Sequence, residues 1–259
     1  MDLGLKGKKA IVCASSRGLG KACALSLARE GVDVVINGLH QDGLDATKAD
    51  IEALGGGAVS AVLADINTES GRAELIAACP DADILVNNNE GPPPGQFANW
   101  QRVDFQAAID ANFMAPVFMI QGLLEGMKDR RFGRIVNITS AMVKSPRAPM
   151  GLSTSARSGL TAFSKGLSVE VAPYNVTINN MLPERFDTDR QKFMAEMSMK
   201  IKGISREEAI AEINESIAAK RMGQPAEFGD ACAFLCSVQA GFISGQNLQL
   251  DGGSYPGLI

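Results

Sequence analysis

Histidine and tyrosine are almost missing from this 259-residue chain, which holds one His (His40), two Tyr (Tyr174 and Tyr255) and one Trp (Trp100). Proton transfer near neutral pH draws mainly on His, Tyr, Lys and carboxylates. Chemistry of that kind therefore has few donors to choose from here. The five cysteines, Cys13, Cys23, Cys79, Cys232 and Cys236, make an odd number with no CxxC, which excludes a disulfide framework. Cys232 and Cys236 stand one helical turn apart in ACAFLCS, but no His or further Cys lies beside them in sequence. They read as small buried hydrophobes, and no metal site is expected. No apolar run reaches the ~18 residues of a membrane span, and the opening MDLGLKGKK lacks a secretory apolar stretch. The expectation is a soluble, cytoplasmic protein with no membrane partner. A formal charge of −4 and a pI near 5.2 supply no basic footprint, so nucleic acid is excluded as a partner.

What the chain does have is apolar residues (46%) and 27 glycines without a short period, so glycine punctuates elements rather than building a repeat. KAIVCA, SSRGLG and KACALSLAREG read as strand, turn and helix. VDVVI, a helix over 44–54 and a strand over 58–63 continue the alternation. Further strands are expected at 84–86, RIVNIT, VTINNML and NLQL, with helices over about 105–127 and 152–171 and after Pro225. Alternating units of this length argue for parallel strands with right-handed crossovers. The fold class is α/β, a single doubly wound parallel sheet of about seven strands over 1–259. One segment, about 187–220, leaves the rhythm. It is helical in composition, carries Met194, Met197 and Met199, and follows a strand end, where it is placed to cover a ligand. Its methionines read either as ordinary packing or as an apolar substrate wall.

Ser15, Ser16, Arg17, Gly18, Leu19 and Gly20 join the first strand to the first helix. A helix start offers unpaired N–H groups and the positive end of its dipole, and Gly18 and Gly20 let a pyrophosphate approach the backbone. With CASSRGLG come Asp65-Ile66 after the third strand, ILVNN after the fourth, Asn112 in the long helix and NITS ending in Ser140. GLTAFSKGLSVEVAPYNVTINNMLPE, Thr188 and SGQNLQLDGG follow. In this order, almost end to end, the chain resembles the short-chain dehydrogenase/reductase family, and 3-oxoacyl-(acyl-carrier-protein) reductases in particular.

The resemblance implies a Rossmann-like domain, a nicotinamide cofactor and a homotetramer. It assigns the phosphates to Ser15, Arg17, Gly18 and Leu19, the adenine to Asp65 and Ile66, the adenosine ribose to Asn87 and the nicotinamide amide to Thr188. Asp65 reads alternatively as the cap of the helix beginning near Thr68. The second strand ends in Asn37, Gly38, Leu39 and His40, with no acid for a ribose 2′-hydroxyl. Arg17, helped by Asn37 or His40, can oppose a 2′-phosphate, so NADP(H) is favoured over NAD(H).

The family's Ser and Asn are matched by Ser140 and Asn112, but its Tyr and Lys are not. Ser153 and Arg157 stand in their places, and the YxxxK motif has become SxxxR. A serine hydroxyl is far less acidic than a phenol of pKa about 10, and a guanidinium keeps its proton. Ser153 and Arg157 therefore do not repeat the family mechanism, although Arg157 can still bind a ribose, carboxylate or phosphate. Ala14 replaces a family glycine, and Asn89-Glu90 and Glu184 replace others, so Glu90 and Glu184 bring negative charge towards an anionic cofactor. Two replacement acids are candidates: Lys144, in the loop after Ser140, and Tyr255, reaching a neighbouring subunit's cleft.

The leading expectation is an NADP(H)-dependent oxidoreductase of the carbonyl reductase or alcohol dehydrogenase type, with an atypical site. The alternatives are a non-redox enzyme on the same scaffold and a catalytically inactive binding or assembly protein. The methionine-bearing lid, and a mouth without evident basic residues, lean towards a small, moderately apolar carbonyl or alcohol substrate over an acyl carrier protein.

Overall fold

Odd and even residues of the inner strands part to opposite faces of one sheet. Ala10, Val12, Val34, Ile36, Ile84 and Val86 pack on one side with Leu27, Phe228 and Cys232. Ile11, Cys13, Val35, Leu85 and Ile135 pack on the other with Leu75, Met119, Ile120 and Leu123. Burying each large aliphatic side chain contributes ~1.5–3 kcal/mol, so the sheet is fixed from both faces.

The computed structural model describes residues 1–258. In chain order the elements are β1 (Lys9–Val12), α1 (Gly18–Arg29), β2 (Asp33–Gly38), α2 (Gln41–Ala53), β3 (Val59–Leu63), α3 (Glu69–Ala78) and β4 (Ile84–Asn87). Then come α4 (Arg102–Ile109), α5 (Ala115–Asp129), β5 (Gly133–Ile138), α6 (Gly151–Val171), β6 (Val176–Pro183), α7 (Asp189–Lys202), α8 (Arg206–Glu215), α9 (Pro225–Cys236) and β7 (Asn247–Leu250). The seven strands lie in the order β3-β2-β1-β4-β5-β6-β7 and all pair in parallel. This is the Rossmann-like doubly wound sheet, with its switch point between β1 and β4, where such folds bind ligands beyond the strand ends.

A row of buried amides ties the sheet together below that crevice. Asn87, Asn137, Asn180 and Asn247 are register partners across β4 to β7. Asn87 Nδ2 donates to Asn137 Oδ1 (2.9 Å), Asn137 Nδ2 to Asn180 Oδ1 (3.0 Å) and to Ser164 Oγ (2.9 Å), and Asn180 Nδ2 to Asn247 Oδ1 (2.9 Å). A continuous polar network inside a sheet costs little when each member is satisfied, and it fixes strand register.

The five cysteines are free and buried. Burial pushes the Cys13 thiol up to about 12 and the Cys79 thiol up to about 11. Cys23, Cys232 and Cys236 pack in the first core as apolar groups.

The helical run Arg102–Asp129 is long and apolar enough to cross a membrane by length and composition, although charged and polar residues interrupt its sequence. Core helices pass the same test. Here Ala115, Met119, Ile120, Leu123 and Met127 are buried. The segment after β6 forms α7 and α8, and Met199 packs with Ala195, Ala209, Ile213 and Ile217 in a small core of their own. That methionine therefore serves the packing of these two helices on each other.

Candidate functional site

The turn after β1 carries two left-handed residues, Ala14 (φ 44°) and Gly18 (φ 58°). Gly18 adopts this region freely, whereas Ala14 is strained where the family has glycine. Ser15 and Asn37, expected to meet the cofactor, are instead buried braces. Ser15 Oγ donates to Val12 O (2.7 Å) and accepts from Asn37 N (3.0 Å). Asn37 Nδ2 donates to Val62 O (3.1 Å) and Ala64 O (2.9 Å), while its Oδ1 accepts from Ala14 N (3.3 Å). Both side chains are spent on holding the loop to β2 and β3, so neither is left for phosphate. Leu19 is half-buried against the first core. Arg17 and His40 remain exposed. Ser16, named in the loop but given no role from sequence, has room made for it: a Cβ on Gly38 would stand 2.9 Å from its Oγ, so Gly38 and Gly43 leave the space that this side chain occupies.

Asp65 is not the cap of α3. Thr68 is, its Oγ1 accepting from Gly71 N (3.0 Å), while Asp65 Oδ1 closes a turn onto Asn67 N (2.9 Å). The Ile66 side chain lies in the second core, which leaves only its main chain for an adenine. Asn87, expected at the ribose, belongs to the buried amide row, so its side chain does not face the crevice. Thr188 lies beside the glycine loop, its Cγ2 4.0 Å from where a Gly18 Cβ would be, while its Oγ1 donates to Phe186 O (3.3 Å). Glu90 turns to Arg17 (Oε1 to Nη2, 3.8 Å), with both side chains well exposed.

Asn112 sits in a π-helical turn, Asp110–Met114, that joins α4 to α5. Such insertions re-aim a side chain. Its Nδ2 donates to Glu90 O (3.3 Å) and Ala108 O (3.4 Å), and its Oδ1 is buried with no protein partner. Ser140 follows β5, and its Oγ accepts from Met142 N (3.2 Å). One turn into α6, Ser153 Oγ accepts from Arg157 Nε (3.2 Å). Arg157 Nη1 donates to Ile138 O (2.7 Å) and Thr139 O (2.7 Å), the two residues before Ser140, and Nη2 to Asn89 O (3.4 Å).

The Arg157 guanidinium thus ties α6 to the ends of β4 and β5 with no carboxylate beside it among these bonds. Burial, then the neighbouring Arg190, push it down to about 10, which leaves it charged at neutral pH. A Cβ on Gly91 would stand 3.4 Å from Arg157 Nη2 and 3.6 Å from Ser153 Oγ. Both polar groups lie buried beneath the loop that carries Gly91. The left-handed glycine loop and the unpartnered Asn112 Oδ1 together fit a dinucleotide lying from α1 to α6, with a polar substrate group at the far end.

Beyond Ser140 the structure corrects the expectation of a mouth poor in basic residues. Glu184 does not confront the crevice as a lone anion, because Arg147 Nη2 donates to its Oε1 (2.9 Å) and Arg185 Nε lies 3.8 Å away. Arg190 Nη2, from α7, donates to Pro92 O (3.3 Å) in the loop after β4 and so spans the opening. Lys144 Nζ lies 5.5 Å from the Tyr255 ring centroid. The two candidate replacement acids therefore lie side by side in one chain. Neither Arg147, Arg185 nor Arg190 was singled out as a site residue from sequence, since they come from separate loops that only the fold brings to one opening.

Residues 13–255 match the family described as enoyl-(acyl carrier protein) reductase. The NADPH-dependent reductase BacG of Bacillus subtilis is 35% identical over 95% of this chain and 97% of its own. The 3-oxoacyl-[acyl-carrier-protein] reductase FabG of Vibrio cholerae is 30% identical over 98% of this chain and 99% of its own. Among solved structures, L-sorbose reductase from Gluconobacter frateurii, complexed with NADPH and L-sorbose, superposes with a TM-score of 0.93 at 28% identity over the full length of both chains. With the glycine turn, the sheet order and these relatives in agreement, the chain belongs to the short-chain dehydrogenase/reductase family.

Proposed function

We propose that this protein is an NADP(H)-dependent oxidoreductase of the carbonyl reductase or alcohol dehydrogenase type, working as a cytoplasmic homotetramer without the family's tyrosine. The observation that carries this reading is Arg157, a buried cation pinned by Ser153 and three main-chain carbonyls in the place of the family lysine.

Ser15 and Asn37 brace the loop whose amides, with Gly18, would receive the pyrophosphate, while Arg17 and His40 stand exposed beside a 2′-phosphate position. Thr188 would meet the nicotinamide amide. NADP(H), when bound, supplies or accepts the hydride. Because Ser153 Oγ accepts from Arg157, its own O–H would be left to donate to a substrate oxygen. Ser140 would donate to the same oxygen. Arg157 supports the negative charge that develops there, since a fixed cation in a poorly hydrated site acts more strongly than in water. Guanidinium does not release a proton at working pH, so the proton itself comes from solvent, through the Asn112 Oδ1 position or from Lys144.

The exposed apolar residues Phe118, Phe163 and Val169 on α5 and α6, and Phe242 and Leu248 near β7, support the tetramer.

The test is NADPH oxidation by the purified protein across ketones, aldehydes, enones and acyl thioesters, with Ser140→Ala in parallel. Turnover lost in the variant supports the reading; turnover unchanged by it, or absent with every substrate, overturns it.

A further inference from the structure

A cavity of about 350 Å³ opens between the loop after β5, the end of β6 and the segment after β7, lined among others by Ser145, Arg147, Glu184, Arg185, Gln249 and Tyr255. We propose that it holds the carboxylate of the substrate, gripped by Arg147 and Arg185, so that the compound turned over is an oxo acid or its hydroxy-acid counterpart. This rests on the oxidoreductase reading and names its substrate class.

The charge balance points to a single anion. Arg147 and Arg185 bring two positive charges and Glu184 one negative, which leaves one positive charge on a chain whose formal net charge is −4. Lys144, whose Nζ lies 5.5 Å from the Tyr255 ring centroid, is not part of the cavity lining and stays outside this balance. A monocarboxylate completes this set, whereas a phosphate dianion also meets Glu184 at close range.

The donors are available. Arg147 uses Nη2 on Glu184 (2.9 Å), and its side chain is 53% exposed. Arg185 Nε stands 3.8 Å from Glu184, beyond hydrogen-bond reach, and Nη1 makes a marginal 3.5 Å bond to Gln191. Its side chain is only 23% exposed, and burial lowers its pKa against the support of Glu184. The rest of its fork has no protein acceptor among the described residues and is left for solvent or a ligand, and the planar fork matches a carboxylate. Arg185 is also held at φ 60°, in the left-handed region, directly after the strand end that faces the crevice. Strain of this kind at a non-glycine residue clusters at sites where a side chain has to be aimed.

Gln249 gives an independent sign of a ligand. Its Nε2 is tied to Asp251 Oδ2 (2.9 Å), and its Oε1 is buried with no partner among the described residues. An unpaired acceptor on a residue that lines a cavity with two arginines calls for a donor, which is a group of the ligand other than the reacting carbonyl or hydroxyl, or a water held beside the carboxylate.

The test is calorimetric titration of 2-oxopentanoate and 4-oxopentanoate, each against its methyl ester, on the protein with and without NADPH. At least one acid should bind at least tenfold tighter than its ester, with affinity that falls as salt is raised. Arg147→Gln and Arg185→Gln should each weaken the acid at least fivefold and leave the ester unchanged. Arg147 is exposed enough that its variant should keep the fold, which circular dichroism checks. Equal binding of acid and ester overturns the proposal, as does binding of phosphopantetheine in preference to either acid. If NADPH fails to bind, the oxidoreductase reading falls, while the acid and ester comparison still decides the cavity.

Discussion

Replacing Arg157 by lysine restores the family residue and should nevertheless destabilise the protein. The guanidinium reaches four acceptors on three segments: Ser153 Oγ, Ile138 O, Thr139 O and Asn89 O. A lysine ammonium is a point donor on a narrower head and cannot span them all. Two buried groups left without a donor cost about 1–3 kcal/mol each, or about 2–6 kcal/mol in all. At ~2–4 °C per kcal/mol for a domain of this size, the melting temperature should fall by roughly 5–20 °C. Differential scanning calorimetry at neutral pH measures it, with Arg157→Met as the control that removes the charge as well. A fall of less than about 2 °C in the lysine variant would refute the reasoning and make Arg157 a bystander.

Four further outcomes are expected. Ala14→Gly should raise stability by up to about 1 kcal/mol in urea unfolding, because relief of the left-handed strain at φ 44° outweighs the added chain entropy. Glu90→Gln should tighten NADPH roughly two- to fivefold at low salt, since it frees Arg17 from an exposed ion pair worth no more than about 1 kcal/mol; no change, or weaker binding, would place Glu90 away from the cofactor. Arg221 holds the Glu227 carboxylate down to about 2. A depressed carboxylate contributes stability that is present above its ordinary value of 4.5 and lost as pH falls from there through about 2, and Glu227→Gln should flatten that part of the acid-unfolding profile. Ser153→Tyr combined with Arg157→Lys should increase carbonyl reduction if the cleft holds cofactor and substrate productively, as NADPH oxidation would show.

The fold was legible because its signals are local. The apolar runs and the glycine turn at 18–20 are read within a dozen residues, and the seven strands among the described residues and the helices of the segment after β6 lie where the pattern placed them. The site was legible by position but not by side-chain direction. Ser15, Asn37 and Asn87 occupy cofactor positions in the motif, yet each is turned inward to satisfy buried donors and acceptors that sequence does not display. The arginine cluster is the opposite case. Arg147 and Arg185 meet around Glu184 only because the ends of β5 and β6 are neighbours in the sheet, and Lys144 meets Tyr255 only through the return of the chain after β7.

The central claim, that a short-chain reductase site works here without its tyrosine, stands first on the cofactor. Fluorescence titration of the purified protein with NADPH and with NADH tests it most directly. NADPH should bind in the micromolar range and at least tenfold tighter than NADH; no binding of either nucleotide at millimolar concentration would contradict the account.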